Sequence, residues 1–144
     1  MPLTPPDQKA IAPDLFPKFI LLGEDDIDDE DLLKEIFSDI DNSIALQFIN
    51  TGRKVLSTLE AMSSRHLPSL IVLDYNMPEL NGAEILKILK DNPRYDHIPK
   101  VIWSTSGSDV YKKRCLELGA KEYVIKPSSI NDLTATVLRL VALC

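Results

Sequence analysis

The chain contains few of the residues that build disulfide frameworks and metal–thiolate sites. Among its 144 residues are two cysteines, Cys115 and Cys144, and two histidines, and their positions do not match the spacing of a zinc site. So few cysteines favour a reducing compartment over a disulfide-rich secreted scaffold. The sequence also lacks a signal peptide and any apolar run long enough to cross a bilayer. We therefore expect a cytoplasmic protein that does not associate with membranes.

Basic residues are scarce relative to acidic ones. Sixteen lysines and arginines face 22 aspartates and glutamates, so the net charge is -6 at pH 7. This charge opposes a general attraction to nucleic acid, and we expect no direct DNA binding. A hydrophobic content of 44% and a charged content of 26% are ordinary for a globular core, and the length suits one domain.

Prolines are concentrated near the N terminus. Five of the ten prolines lie within residues 1–17, where no apolar residues recur at a regular period. This composition predicts an extended or disordered N-terminal arm. A single domain is then expected over residues 18–144.

Within that domain, short apolar runs alternate with segments whose apolar residues have helical spacing. The run Leu70–Leu73 lies between Pro68 and Pro78 and suits a strand buried on both faces. Four more strands are predicted at Phe19–Leu22, Ile44–Ile49, Val101–Ser104 and Tyr123–Ile125. Since a helical segment follows each strand, the pattern predicts a three-layer α/β fold with a five-stranded parallel sheet and five helices. The commonest order for such a sheet places the first and third strands side by side.

Polar side chains follow the apolar runs at four of the predicted strand ends. They are Glu24 and Asp25, then Asp74, then Thr105 and Ser106, and finally Lys126. Because parallel strands end at one edge of a sheet, we expect these side chains to converge. Carboxylates this close repel by about 4 kcal/mol per pair at an effective dielectric constant near 20, and hard oxygen ligands favour Mg²⁺ or Mn²⁺. A divalent ion beside a lysine and a hydroxyl can stabilise a transferring phosphoryl group, so Asp74 is the candidate nucleophile.

The remaining acids after the first strand have a simpler interpretation. Asp26, Asp28, Asp29, Glu30 and Asp31 precede a helical pattern, and acidic residues stabilise the N-terminal end of a helix dipole. We interpret all five as the solvated start of the first helix. Asp74 and Lys126 also have ordinary alternatives, as a helix cap and a surface charge, but their coincidence at one sheet edge favours a functional site.

In order and spacing, these residues resemble the CheY-like receiver domain of two-component response regulators. The match consists of the Glu24-Asp25 pair, Asp74 followed by Tyr-Asn-Met-Pro, Gly82 eight positions after Asp74, Thr105, and Lys126-Pro127 after Tyr123. It covers the chain from about residue 18 to the final helix. The resemblance implies a flavodoxin-like sheet in the order 2-1-3-4-5. Because the sequence stops after its fifth helix, a stand-alone, single-domain regulator is expected.

The resemblance also implies a reaction at Asp74. A sensor histidine kinase or a phosphotransfer protein would phosphorylate Asp74, with Mg²⁺ as cofactor. Asp25, Asp74 and the Asn76 backbone carbonyl would bind the ion directly, and Glu24 would bind it through water. The chain would catalyse only its own phosphorylation and dephosphorylation, and would not be an enzyme acting on other substrates.

The resemblance further implies how the phosphoryl group would be recognised and how its presence would be transmitted. Lys126 and Thr105 would contact the phosphoryl oxygens. Thr105 and Tyr123 would then move together and alter the face made by the fourth helix, the fifth strand and the fifth helix. That face would bind a downstream protein, or a second copy of the chain.

Three other functions are compatible with an α/β fold of this kind. A flavodoxin needs a phosphate-binding loop after the first strand, where Glu24 and Asp25 would repel phosphate. A phosphatase with an aspartyl nucleophile usually has a second acid two residues later, where this chain has Asn76. A pseudo-receiver, which binds partners without being phosphorylated, remains the alternative function.

Overall fold

The computed structural model describes residues 18–144, so the predicted arm at residues 1–17 lies outside the described residues. The described strands are β1 (Phe19–Gly23), β2 (Ala45–Ile49), β3 (Leu70–Asp74), β4 (Lys100–Ser104) and β5 (Glu122–Ile125). The helices are α1 (Ile27–Ile40), α2 (Gly52–Ala61), α3 (Gly82–Lys90), α4 (Asp109–Glu117) and α5 (Ile130–Leu143). A 3₁₀ turn at Pro93–Tyr95 connects α3 to β4. The predicted alternation of five strands and five helices is confirmed, with small shifts at element ends.

The strands form one parallel sheet in the order β2-β1-β3-β4-β5, which confirms the predicted order 2-1-3-4-5. In the register of the sheet, Gly23 pairs with Leu73, Asp74 pairs with Trp103, and Ser104 pairs with Ile125. Each of these pairs lies at the carboxyl ends of its strands. The loops that leave β1, β3, β4 and β5 therefore begin side by side at one edge of the sheet.

The central strand β3 is buried along its whole length because helices cover both faces of the sheet. Leu70 and Val72 pack with apolar side chains of α1 and α5, whereas Ile71 and Leu73 pack with those of α2, α3 and α4. Successive side chains of a strand point to opposite faces, which explains this division. Since burying one such side chain stabilises the fold by about 2 kcal/mol, the continuous apolar run fixes β3 in the centre of the domain.

Helix α1 begins directly beside this sheet edge. Asp26 is its N-cap residue, and the Asp26 carboxylate accepts hydrogen bonds from the backbone N–H groups of Asp28 and Asp29. These bonds satisfy two of the N–H groups that a helix start leaves without a partner. The cap therefore sets the rotation of the first turn, and with it the direction in which Asp29 points.

Gly52, the first residue of α2, is packed against the loop that follows β3. Its N–H donates to the Pro78 carbonyl at 3.0 Å. A Cβ atom built on Gly52 would lie 2.4 Å from the carbonyl oxygen of Leu80, which is a backbone atom. Only glycine allows the two backbones to approach this closely.

We expect Gly52→Ala to destabilise the protein by about 2 kcal/mol, because either α2 or the loop after β3 must shift to relieve the clash. Gly107→Ala is the matched control, since its Cβ would meet only the Ile125 side chain, at 3.5 Å. The free energy of unfolding in urea measures both effects. Equal stabilities of the two variants would show that the contact at Gly52 is not constraining.

Candidate functional site

The ends of β1, β3 and β5 bring three predicted site residues into direct contact. The Lys126 Nζ atom, just after β5, lies 2.8 Å from Asp74 Oδ2 and 3.0 Å from Glu24 Oε1. A third carboxylate, that of Asp29, lies 3.1 Å from the same nitrogen. Residues up to 102 positions apart in the chain thus share one ammonium group. An ammonium has three N–H donors, and here each has a carboxylate acceptor.

The acids at this edge are close enough to share one metal ion. Glu24, Asp25 and Asp74 each offer a carboxylate oxygen, and these oxygens all lie within 4.8 Å of one another. Glu24 and Asp74 are buried, whereas Asp25 is exposed, so the group is open to solvent on one side. An oxygen-only donor set that is open to water fits Mg²⁺ or Mn²⁺, which retain several water ligands.

The two oxygens of the Asp74 carboxylate have different partners. Oδ1 accepts a hydrogen bond of 3.0 Å from the Asn76 backbone N–H, and Oδ2 accepts the bond from Lys126. The Asp74 side chain is 8% exposed, so it is held at the bottom of the site. These two bonds fix the orientation of the carboxylate, and the first one also places the Asn76 backbone beside it.

Lys126 remains charged although it is mostly buried. Burial alone would lower its pKa, but hydrogen bonds and charges from Asp74 and Glu24 outweigh that effect and raise the pKa of Lys126. The ammonium also lies 4.8 Å from the ring centroid of Trp103. A cation over an aromatic face is attracted by the ring, so this contact further stabilises the position of the Lys126 side chain.

Glu24 is the most buried acid of the site, with 1% of its surface exposed. Burial raises the pKa of Glu24 from 4.5 to about 7, although hydrogen bonds from Lys126 and from the Asp26 N–H oppose the rise. Its Oε1 atom also accepts a hydrogen bond of 3.1 Å from the Trp103 indole N–H. Near pH 7, Glu24 is therefore poised to take up or release a proton.

The structure corrects one interpretation drawn from the acidic run. Asp29 is not merely part of a solvated helix start, because its carboxylate is paired with Lys126. Glu30 pairs instead with Lys34 of the same helix, at 2.9 Å. The three steps along the chain from Asp26 to Asp29 cover almost one helical turn, which returns Asp29 to the side facing the strand ends. If Asp26 had been recognised as the N-cap of this helix, the spacing would have predicted the direction of the Asp29 side chain.

The hydroxyls at the end of β4 are placed differently from one another. Thr105, the predicted phosphoryl contact, is exposed one residue beyond the strand. Ser104 is the last residue of β4 and is fully buried, and its hydroxyl accepts a hydrogen bond of 3.0 Å from the Ser106 N–H. The sequence analysis missed Ser104. The signal was available, because Ser104 is the polar last residue of an apolar strand, as Asp74 is.

Tyr123, the predicted switch residue, contacts the loop between β4 and α4. Its hydroxyl donates a hydrogen bond of 2.8 Å to the Ser106 carbonyl. Its partly buried ring packs against the apolar cluster on the side of α2, α3 and α4. The hydrogen bond between Tyr123 and Ser106 therefore links β5 to the loop that contains Thr105.

Trp103 was also missed as a site residue. It lies within the apolar run of β4, which suggested a core residue only. A buried tryptophan needs an acceptor for its indole N–H, and here that acceptor is Glu24. Trp103 is the single tryptophan of the chain, so its fluorescence reports on this site alone.

Comparison with known proteins identifies similar sequences. Residues 20–138 match the family model described as response regulator receiver domain. The two-component response regulator ORR5 of Oryza sativa subsp. japonica is 33% identical over 118 residues, which are 78% of this chain and 86% of that protein. The two-component response regulator ORR12 of the same subspecies is 38% identical over 85 residues, or 59% of this chain and 70% of that protein.

Solved structures with a similar fold include two regulators. The Mn²⁺-bound form of response regulator Rcp1 superimposes with a TM-score of 0.77 at 30% identity, covering 86% of this chain and 91% of that one. The phosphorylated cyanobacterial phytochrome response regulator RcpA has a TM-score of 0.77 at 26% identity, with coverages of 85% and 90%. Within residues 18–144, no helix combines the length and the apolar character needed to span a bilayer.

The raised pKa of Glu24 predicts that metal binding depends on pH. If a divalent ion binds these acids, it would compete with the proton on Glu24, so a carboxyl with a pKa of about 7 should give an Mg²⁺ affinity that increases about tenfold from pH 6 to pH 8. Isothermal titration calorimetry with Mg²⁺ measures the affinity directly. Glu24→Gln should bind more weakly and show a flatter pH profile. A wild-type affinity that is constant across this range would contradict the assignment.

Proposed function

Because this chain belongs to the receiver domain family of two-component response regulators, we propose that Asp74 accepts a phosphoryl group from a sensor histidine kinase or a phosphotransfer protein. One observation carries this proposal. The Asp74 carboxylate, in contact with Lys126 at 2.8 Å, lies within the group of acids that could hold a metal ion. A carboxylate oxygen, a positive charge and acids that could hold a metal ion thus lie together, which supports phosphoryl transfer at Asp74.

The proposed reaction begins with the Asp74 carboxylate. One of its oxygens attacks the phosphorus of a phosphohistidine, and the P–N bond breaks. The electron pair of that bond stays on the imidazole nitrogen, which takes a proton from solvent. The product is a mixed anhydride, aspartyl phosphate, whose later hydrolysis returns the free carboxylate and inorganic phosphate. The hydrogen bond from the Asn76 N–H to Oδ1 keeps the carboxylate oriented for the attack.

The cofactor that we propose is Mg²⁺. Asp25, Asp74 and the Asn76 backbone carbonyl would bind it directly, and Glu24 would bind it through water. Bound there, the ion would neutralise negative charge on the transferring phosphoryl group. The donor set is made of hard oxygen ligands, and one of the similar solved structures is a Mn²⁺-bound form.

Lys126 would exchange one partner during the reaction. In the described structure its ammonium is bonded to Asp74 Oδ2, an oxygen that becomes part of the anhydride or lies beside it. The same N–H would then donate to a phosphoryl oxygen, while the Asp29 carboxylate and the Trp103 ring stay in contact with the ammonium. A charge that is already oriented stabilises the transition state without reorganisation.

A hydroxyl at the end of β4 would provide a second contact to the phosphoryl group. Thr105 was predicted from the family resemblance and stays a candidate. Ser104 is favoured by its position, because it ends β4 beside Lys126, whose backbone N–H donates to the Ser104 carbonyl at 2.7 Å. A fully buried hydroxyl has fewer accessible orientations than an exposed one, so the Ser104 O–H group can be held in one direction, toward the phosphoryl group.

We propose that phosphorylation alters the face formed by α4, β5 and α5. Tyr123 is hydrogen-bonded to Ser106, in the loop next to the candidate hydroxyls, so a movement of this loop would displace the Tyr123 ring. Exposed apolar side chains lie on all three elements, including Val110, Leu116, Ile125 and Leu138. A downstream protein or a second copy of the chain would bind there, in the cytoplasm. Such a switch requires two conformations of similar free energy.

The direct test is phosphorylation by acetyl phosphate, followed by intact-mass spectrometry. We expect a gain of about 80 Da, one phosphoryl group, that requires Mg²⁺ and is absent in Asp74→Asn. Asp109→Asn is the matched control because Asp109 is an exposed acid at the start of α4. Labelling that persists in Asp74→Asn would refute the assignment of Asp74, and an unlabelled wild-type protein would favour the pseudo-receiver function.

The two hydroxyls are distinguished by single substitutions. If Ser104 contacts the phosphoryl group, Ser104→Ala should slow labelling by acetyl phosphate about tenfold, as expected for the loss of one hydrogen bond in the transition state. Thr105→Ala should then change the rate less than twofold. The opposite pattern would assign the role to Thr105, and the initial rate of mass gain at saturating Mg²⁺ measures both.

A further inference from the structure

The contacts of Lys126 point to a role for Asp29 in the proposed reaction. Lys126 Nζ has three carboxylate partners, and two of them, Glu24 and Asp74, belong to the acids that could hold a metal ion. Asp29 lies outside this group of acids, although its Oδ2 atom is 3.1 Å from the ammonium. Asp29 is therefore the one carboxylate partner of Lys126 that is not expected to hold the ion.

Asp29 is also held in position by the fold. It lies in the first turn of α1, and its backbone N–H donates to the Asp26 carboxylate at 3.2 Å. The Asp29 side chain is 34% exposed and that of Lys126 is 12% exposed, so Asp29 is the most exposed of the three carboxylate partners of the ammonium. The adjacent acid Asp28 is exposed and lies in the same turn. It carries the same charge as Asp29 but is not one of the carboxylate partners of Lys126, so it is a suitable control residue.

Binding of a divalent ion would change the balance of charge around Lys126. Asp74 and Glu24 would be attracted to the ion and the ammonium would be repelled by it, because like charges oppose each other across a few ångströms. The partners that would remain fully available to Lys126 are the ring of Trp103 and the carboxylate of Asp29.

We propose that Asp29 is a positioning residue, which keeps the Lys126 ammonium beside Asp74 while a divalent ion occupies the neighbouring acids. This inference rests on the proposed function, since it assigns a task within the same phosphoryl-transfer site. In this role Asp29 would touch neither the phosphoryl group nor the metal ion and would act through Lys126. An ammonium without this anchor would turn away from the ion and toward solvent.

The first measurement compares labelling rates at saturating Mg²⁺ with acetyl phosphate as donor. Asp29→Asn should slow the mass gain about fivefold, since a misplaced charge loses part of its transition-state stabilisation. Asp28→Asn, which removes the same charge one residue away, should change the rate less than twofold. Asp29→Glu should restore most of the rate. Equal slowing in both Asn variants, or an unchanged rate in Asp29→Asn, would overturn the proposal.

The second measurement needs no phosphoryl donor, so it separates this inference from the proposed function. The side-chain ammonium signal of Lys126 in ¹⁵N-labelled protein, assigned by its loss in Lys126→Met, reports whether the group is held. With Mg²⁺ bound, the wild-type protein and Asp28→Asn should retain a slowly exchanging signal, and Asp29→Asn should lose it. A signal that survives in Asp29→Asn would refute the role of Asp29, even if Asp74 is phosphorylated. If the wild-type protein is not phosphorylated, the proposed function fails, and the signal then decides only whether Asp29 anchors the Lys126 ammonium when Mg²⁺ is bound.

Discussion

The ion pairs of Lys126 stabilise one edge of the sheet, where neighbouring carboxylates would otherwise repel one another. Glu24 and Asp74 are buried, and the carboxylates of both contact the ammonium that lies between them. Breaking a buried ion pair by removing one partner costs about 3–5 kcal/mol. Loss of the Lys126 ammonium would therefore destabilise the domain at the edge of the sheet where these carboxylates meet.

The fold supplies this arrangement through its topology. Placing β1 beside β3 brings Glu24 next to Asp74, and placing β4 between β3 and β5 brings Trp103 and Lys126 to the same edge. Apolar side chains on both faces of β3 fix the strand, and the polar residue at its end has little freedom to move. The rigid core thus defines the geometry of the site, while Asp25, in the loop after β1, is exposed and Asp29, in the first turn of α1, is partly exposed.

Much of the fold and of this site follows from local sequence patterns. Short apolar runs that alternate with helical stripes predict the five strands, and a polar residue directly after a buried strand must lie at the sheet edge. That reasoning found Glu24, Asp74 and Lys126. It did not find the contact of Asp29, because the direction of that side chain depends on how α1 packs against the sheet. Trp103 was counted as core, since its hydrogen bond to Glu24 joins residues 79 positions apart.

The central claim is that distant carboxylates form one site for a divalent ion beside Asp74. Anomalous X-ray scattering from crystals soaked in Mn²⁺ tests it most directly, because the ion is located without reference to activity. The account predicts one strong peak in contact with the Asp25 and Asp74 carboxylates and the Asn76 carbonyl oxygen, and no such peak in crystals of Asp25→Asn. A wild-type crystal with Mn²⁺ bound only elsewhere, or with no ion at this edge, would contradict it.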